Sequence, residues 1–97
     1  MNCNTRYRLE APAEVIAALR AQFQEAALAM DEHGQTGEPC KWYGWREALE
    51  WAANQFNDCR FTLYGHGTEP GEDLWRCMVI NGVLNRREKR VQMWEAA

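Results

Sequence analysis

The side chains able to do chemistry in this sequence are few, and their spacing limits what they can be. Cys40, Cys59, Cys77, His33 and His66 are the ligand types for a soft metal. None forms a Cys-x-x-Cys or His-x-x-x-His pair, the tight knuckles from which structural zinc sites draw their ligands. Core thiols and loop histidines account for them, and neither a metal nor another cofactor is expected. Nucleophilic catalysis needs a serine or cysteine beside a base, and the chain has no serine. Cys40, next to Lys41 and a few residues ahead of a helical segment, comes nearest to a thiol of lowered pKa, with His33 or His66 as its base. A packing role explains Cys40 better, so a Cys-dependent enzyme ranks lowest and the chain is read as non-catalytic.

Other candidates point to binding. Glu47 and Glu50 share a helical face at the edge of an apolar stripe, which is the place of a solvated pair. The stretch Gly65 to Asp73 has half the glycine spacing of a phosphate loop, but Glu69, Glu72 and Asp73 repel phosphate and no helix follows. A loop between antiparallel strands explains it. Arg86-Arg87-Glu88-Lys89-Arg90 is the one local basic run. On a strand, Arg87 and Lys89 fall on one face and Arg86 and Arg90 on the other. Such a run binds phosphates or acidic protein surfaces, or protects an edge strand. Five Trp are a surplus for so small a body, and exposed Trp and Tyr mark interfaces. Trp45 is read as core; Trp42, Tyr43, Trp75 and Trp94 cannot all face inward. The candidate binding residues are therefore Trp42, Tyr43 and Trp51, with Glu69 and Asp73 in the loop and Arg86, Arg87, Lys89 and Arg90 in the basic run.

The elements that must position these residues follow from periodicity. Thr5 to Glu10 reads as a strand. Pro12 and Glu14 are start signals for a helix to about Phe23, with Val15, Ile16, Leu19 and Phe23 at helical spacing. Ala26 to Met30 is either a strand or the tail of that helix. Asp31 to Pro39 is a loop, and Cys40 to Tyr43 a short extended piece. Gly44 precedes a helix whose buried stripe is Trp45, Ala48, Leu49, Ala52 and Phe56, with Trp51 off it. Cys59 to Tyr64 and Leu74 to Ile80 read as strands. Asn81-Gly82 is a hairpin turn into a last strand that ends near Trp94. The order β-α-(β)-α-β-β-β fits an α+β fold: two helices on one face of a mostly antiparallel, ferredoxin-like sheet.

Ninety-seven residues make a single domain, residues 1–97, with a modest core. A net charge of −3 argues against a general nucleic-acid binder. No apolar run is long enough to span a bilayer, and the first residues carry no secretory segment. A cytoplasmic protein with free thiols and no membrane contact is expected.

Lys41-Trp42-Tyr43-x-Trp45 and Phe61-x-Leu63-x-Gly65-x-Gly67-x-Glu69-x-Gly71-x-Asp73-Leu74-Trp75 form a distinctive pattern. Over roughly Pro39 to Gly82 the chain resembles small phage, prophage and plasmid proteins related to the YubB-like ferredoxin-domain group. His66 and Thr68 stand where acids are common in that pattern, and Glu72 is an extra loop residue. The resemblance implies a ferredoxin-like fold and a mobile-genetic-element origin, but no established reaction. The expected function is a non-catalytic protein-binding domain whose partner is a host or phage protein, such as an inhibitor of a host defence complex of the anti-CRISPR type. Glu10 to Glu50, with eight acids and three bases, would mimic a phosphate backbone, and the aromatics would anchor. The alternative is a nucleic-acid-binding accessory domain that uses the basic C-terminal strand and exposed rings on the sheet.

Overall fold

Alternation decides which way each strand faces. The computed structural model describes residues 5–35, 40–67 and 74–89. In β1 (Thr5–Glu10), Tyr7 and Leu9 are buried while Arg6 and Glu10 are exposed. β2 (Arg60–Gly67) buries Phe61 and Leu63, and β3 (Leu74–Ile80) buries Cys77 and Val79. With β4 (Val83–Lys89) they form an antiparallel sheet in the order β1-β2-β3-β4. One apolar face at a period of two is the mark of a sheet covered on one side.

The cover is supplied by three helices, all in the connection from β1 to β2: α1 (Ala13–Gln22), α2 (Gln24–Ala29) and α3 (Trp45–Gln55). Leu19, Leu49, Leu9 and Leu63 are fully buried where helices and sheet meet. Fully burying a leucine is worth about 1.5–3 kcal/mol, so these four side chains carry much of a small core. The α+β class, with helices on an antiparallel sheet, is what the sequence indicates. The finer ferredoxin-like description goes beyond this topology, in which the strands follow one another in sequence order.

Several elements sit where periodicity puts them. β1 has the expected bounds. Pro12 caps α1 with φ −57°, and Gly44 caps α3. Asn81 and Gly82, with φ of 52° and 79°, form the hairpin turn between β3 and β4. Ala26 to Ala29 resolves as helix and Met30 as its extended C-cap (φ −148°); Phe23 turns extended (φ −124°), so this is a separate helix, α2, and not the tail of α1. The Arg20 guanidinium donates to the Met30 carbonyl at 3.1 Å and ties the two helices together. Phe56 departs from expectation: it is half-buried at the C-cap of α3, beyond the last buried turn.

The outer edge of β1 is not left open. Thr5 and Cys40 exchange two backbone hydrogen bonds of 3.0 Å, and the Leu9 N–H donates to the Gly34 carbonyl at 2.7 Å. Gly34 has φ +76°, and a Cβ there would run into the Leu9 carbonyl oxygen, so only glycine lets the chain approach this closely. Covering an edge in this way blocks pairing with another chain.

Candidate functional site

The sheet face opposite the described helices gathers charge that is scattered along the sequence. Cross-strand register places Arg8, Tyr64, Arg76 and Arg87 in one row across all four strands. The next row is Arg6, His66, Leu74 and Lys89. Arg60, at the other end of β2, alternates onto the same face. These positions hold six of the eleven lysines and arginines: Arg6, Arg8, Arg60, Arg76, Arg87 and Lys89. Among the described strand residues, Glu10 is the one acid on this side.

Glu10 ends the edge strand β1 on this face. It forms an ion pair with Arg8, and the Tyr64 hydroxyl donates to it at 3.2 Å. The Arg8 guanidinium carbon lies 4.3 Å from the centre of the Tyr64 ring, a cation–π contact. Burial raises the Tyr64 pKa, and the Glu10 carboxylate raises it further, so the phenol stays protonated and able to donate. Chemically, this is a planar cation stacked on a ring with further arginines beside it in the sheet, an arrangement suited to phosphates and flat bases.

A second feature lies on the helix side of the sheet, where β1 begins. Thr5, Tyr7, Lys41, Trp42, Tyr43, Trp45 and Trp75 line an open recess of about 410 Å³. Its floor is built from the sheet. Tyr7, Gly65 and Trp75 are register neighbours, and a Cβ at Gly65 would collide with the Trp75 indole. The missing side chain lets that indole lie over β2, where it stacks on Trp45 (4.6 Å, 30°) and meets the edge of Tyr7 at 6.2 Å. Trp42 packs edge-on against Tyr7 at 5.4 Å, and its N–H donates to the Tyr7 hydroxyl at 3.3 Å. Burial raises the Tyr7 pKa, partly offset by that hydrogen bond. A separate recess of about 490 Å³ between α3 and the β3–β4 turn is lined by the Arg46–Glu50 ion pair, Asn54 and Val83.

The sequence candidates fare unevenly. Tyr43 is 80% exposed at the mouth of the aromatic recess. Trp42 is 2% exposed and belongs to the core, which corrects its reading as an accessible anchor; the isolated Thr5–Cys40 bridge turns it under Tyr7. Trp45, expected in the core, is half-buried in the recess wall. Trp51 is half-buried and packs edge-on against Phe23 at 5.5 Å. Arg86 is the register partner of Cys77, so it alternates away from Arg87 and Lys89. Glu69, Asp73 and Arg90 lie outside the described residues. Gly65 and Gly67, expected to open a loop, continue β2 instead. Sequence reasoning missed Arg6, Arg8, Arg60, Arg76 and Tyr64 as members of one surface. The alternation of Arg6 and Arg8 with Tyr7 and Leu9 was the available signal.

Two of the described cysteines have thiols held in the protonated form. Burial pushes the Cys40 thiol up, and the Glu25 carboxylate adds to the shift. Burial followed by Asp58 does the same for Cys59. Among the described residues, no three His, Cys, Asp or Glu side chains gather as a metal site, and no helix is long and apolar enough to cross a membrane. Compared with protein-family models, with curated proteins and with solved structures, the chain matches none.

Proposed function

We propose that this domain is a non-catalytic binding module whose open sheet face holds single-stranded nucleic acid. The observation that carries the reading is the row Arg8–Tyr64–Arg76–Arg87, which combines three cations with an aromatic ring across four strands. Single strands are held by basic surfaces that track the backbone and rings on which bases stack. A net charge of −3 is no obstacle, because six of the eleven bases fall on one face while Glu14, Glu25, Glu47 and Glu50 ride on the helices. A protein partner of a mobile-element inhibitor is the second reading, and Tyr43 is the exposed ring that favours it.

The test is binding of a labelled oligothymidylate of about 12 nucleotides across a salt series. Contact with three to five phosphates gives a slope of log K against log[salt] of about −2 to −3.5. Arg87→Gln should flatten that slope. Glu10→Gln should tighten binding several-fold, since it removes the acid that competes for Arg8. Absence of salt-dependent binding, or weaker binding by Glu10→Gln with the fold intact, would reject the proposal.

A further inference from the structure

The basic face and the aromatic recess are joined around the edge of β1. Arg6 lies on the open face; its neighbour Thr5 pairs with Cys40; Lys41 follows and flanks the recess. Among the described residues, the Thr5–Cys40 bridge lies between Arg6, in the Arg6–His66–Leu74–Lys89 row, and Lys41 at the recess. We propose that the recess is a base-capture site: a bound strand leaves the open face past Arg6, and one unpaired base stacks in the recess on Tyr43 and the Trp45–Trp75 pair.

Three observations support this occupant over an apolar peptide side chain. The walls are flat rings, with Trp45 and Trp75 already stacked at 4.6 Å, and a base continues such a stack. Among the described residues, the lining holds one charged side chain, the cation Lys41, which suits a phosphate at the mouth; the Glu25 carboxylate lies close by, accepting the Gly44 N–H at 3.3 Å. The recess adjoins a face whose own charge is complementary to the same ligand. Gly65, which lets Trp75 lie flat, is part of the site in this sense: it shapes the floor without touching the base.

The inference rests on the nucleic-acid reading of the open face, and its test separates the two. Tyr43 is 80% exposed, so Tyr43→Ala should leave the fold intact, checked by circular dichroism. Binding of the labelled oligothymidylate would be compared for wild type, Tyr43→Ala and Lys41→Gln. A set of oligomers carrying one abasic nucleotide at each position in turn would be run alongside. Base–aromatic stacking predicts a loss of about tenfold or more for Tyr43→Ala with the salt slope unchanged. Lys41→Gln should instead flatten the slope by about 0.7. One abasic position should weaken binding to wild type and have no further effect on Tyr43→Ala. Quenching of tryptophan emission on binding should be smaller with the oligomer abasic at that position. If wild type binds with the expected salt dependence but Tyr43→Ala and every abasic oligomer bind as well as their controls, the base-capture site is overturned and the open face stands. If wild type does not bind oligothymidylate at all, both fall together.

Discussion

Replacing Gly65 with alanine tests whether the aromatic recess is built as described. The added methyl group would occupy space held by the Trp75 indole, including its Nε1 at 2.5 Å. The indole must move, because the β2 backbone is fixed by pairing on both sides, to Tyr7 and to Trp75 itself. Moving it weakens the stack on Trp45 and the edge contact with Tyr7, each worth about 0.5–1.5 kcal/mol beyond area burial. Alanine recovers roughly 0.5–1 kcal/mol relative to glycine in a strand. The net expectation is a destabilisation of about 1–2 kcal/mol, or a fall in Tm of roughly 4–16 °C for a domain this size. Urea unfolding followed by far-ultraviolet circular dichroism gives the magnitude, and the near-ultraviolet spectrum should lose the signal of the stacked indoles. The decisive measurement is a double-mutant cycle with Trp75→Ala. Without the indole there is nothing to collide with, so Gly65→Ala should be neutral or stabilising in that background. An equal cost in both backgrounds would refute the reasoning.

Two further outcomes can be checked on the same protein. Leu49→Ala removes a side chain with no exposure and should cost about 2–5 kcal/mol, whereas Phe56→Ala, half-buried at the helix end, should cost less than Leu49→Ala; urea denaturation of the pair gives the ranking. The Asp31 carboxylate accepts the N–H groups of Gln35 and His33, at 3.0 and 2.8 Å, and these hydrogen bonds lower its pKa. A pKa lowered in the folded state gives stability that is present above the unfolded value and lost as pH falls through the folded one. The His33 and Gln35 amide resonances should therefore shift in acid, below the ordinary aspartate range, and Asp31→Asn should abolish that shift; amides that do not titrate there would contradict the assignment.

Period-two and helical patterns made most elements legible. Thr5–Glu10, the stripe through Ala48, Leu49 and Ala52, and the Asn81-Gly82 turn are all local signals, and local signals survive in a single sequence. The strand–loop boundary near Gly65 failed because glycine and histidine have low strand preference, while the reason for glycine is a contact with Trp75, ten residues on. Trp42 failed similarly: its burial depends on the bridge from Cys40 back to Thr5. The basic face was invisible for a stronger reason. Arg8, Arg76 and Arg87 are far apart in sequence, and only the pairing register puts them in one row. The run Arg86 to Arg90 drew notice because its charges are adjacent, yet adjacency on a strand sends neighbours to opposite faces.

That register also sets Arg76 apart from simple edge protection. Charges that guard a sheet against aggregation belong on its edge strands. β4 is an edge, so Arg87 and Lys89 alone would fit that purpose. Arg76 does not fit, because it lies on β3, an interior strand paired on both sides. Its direct partner in the register is Arg87, and like charges directly opposite on a sheet are destabilising. Nor does protection of β1 call for arginines, since Gly34 and Cys40 already hydrogen-bond to its outer edge. Arg76 therefore carries a charge that edge protection does not explain, in the same row as the Arg8–Tyr64 contact, and the proposed single strand would supply the anion for that row.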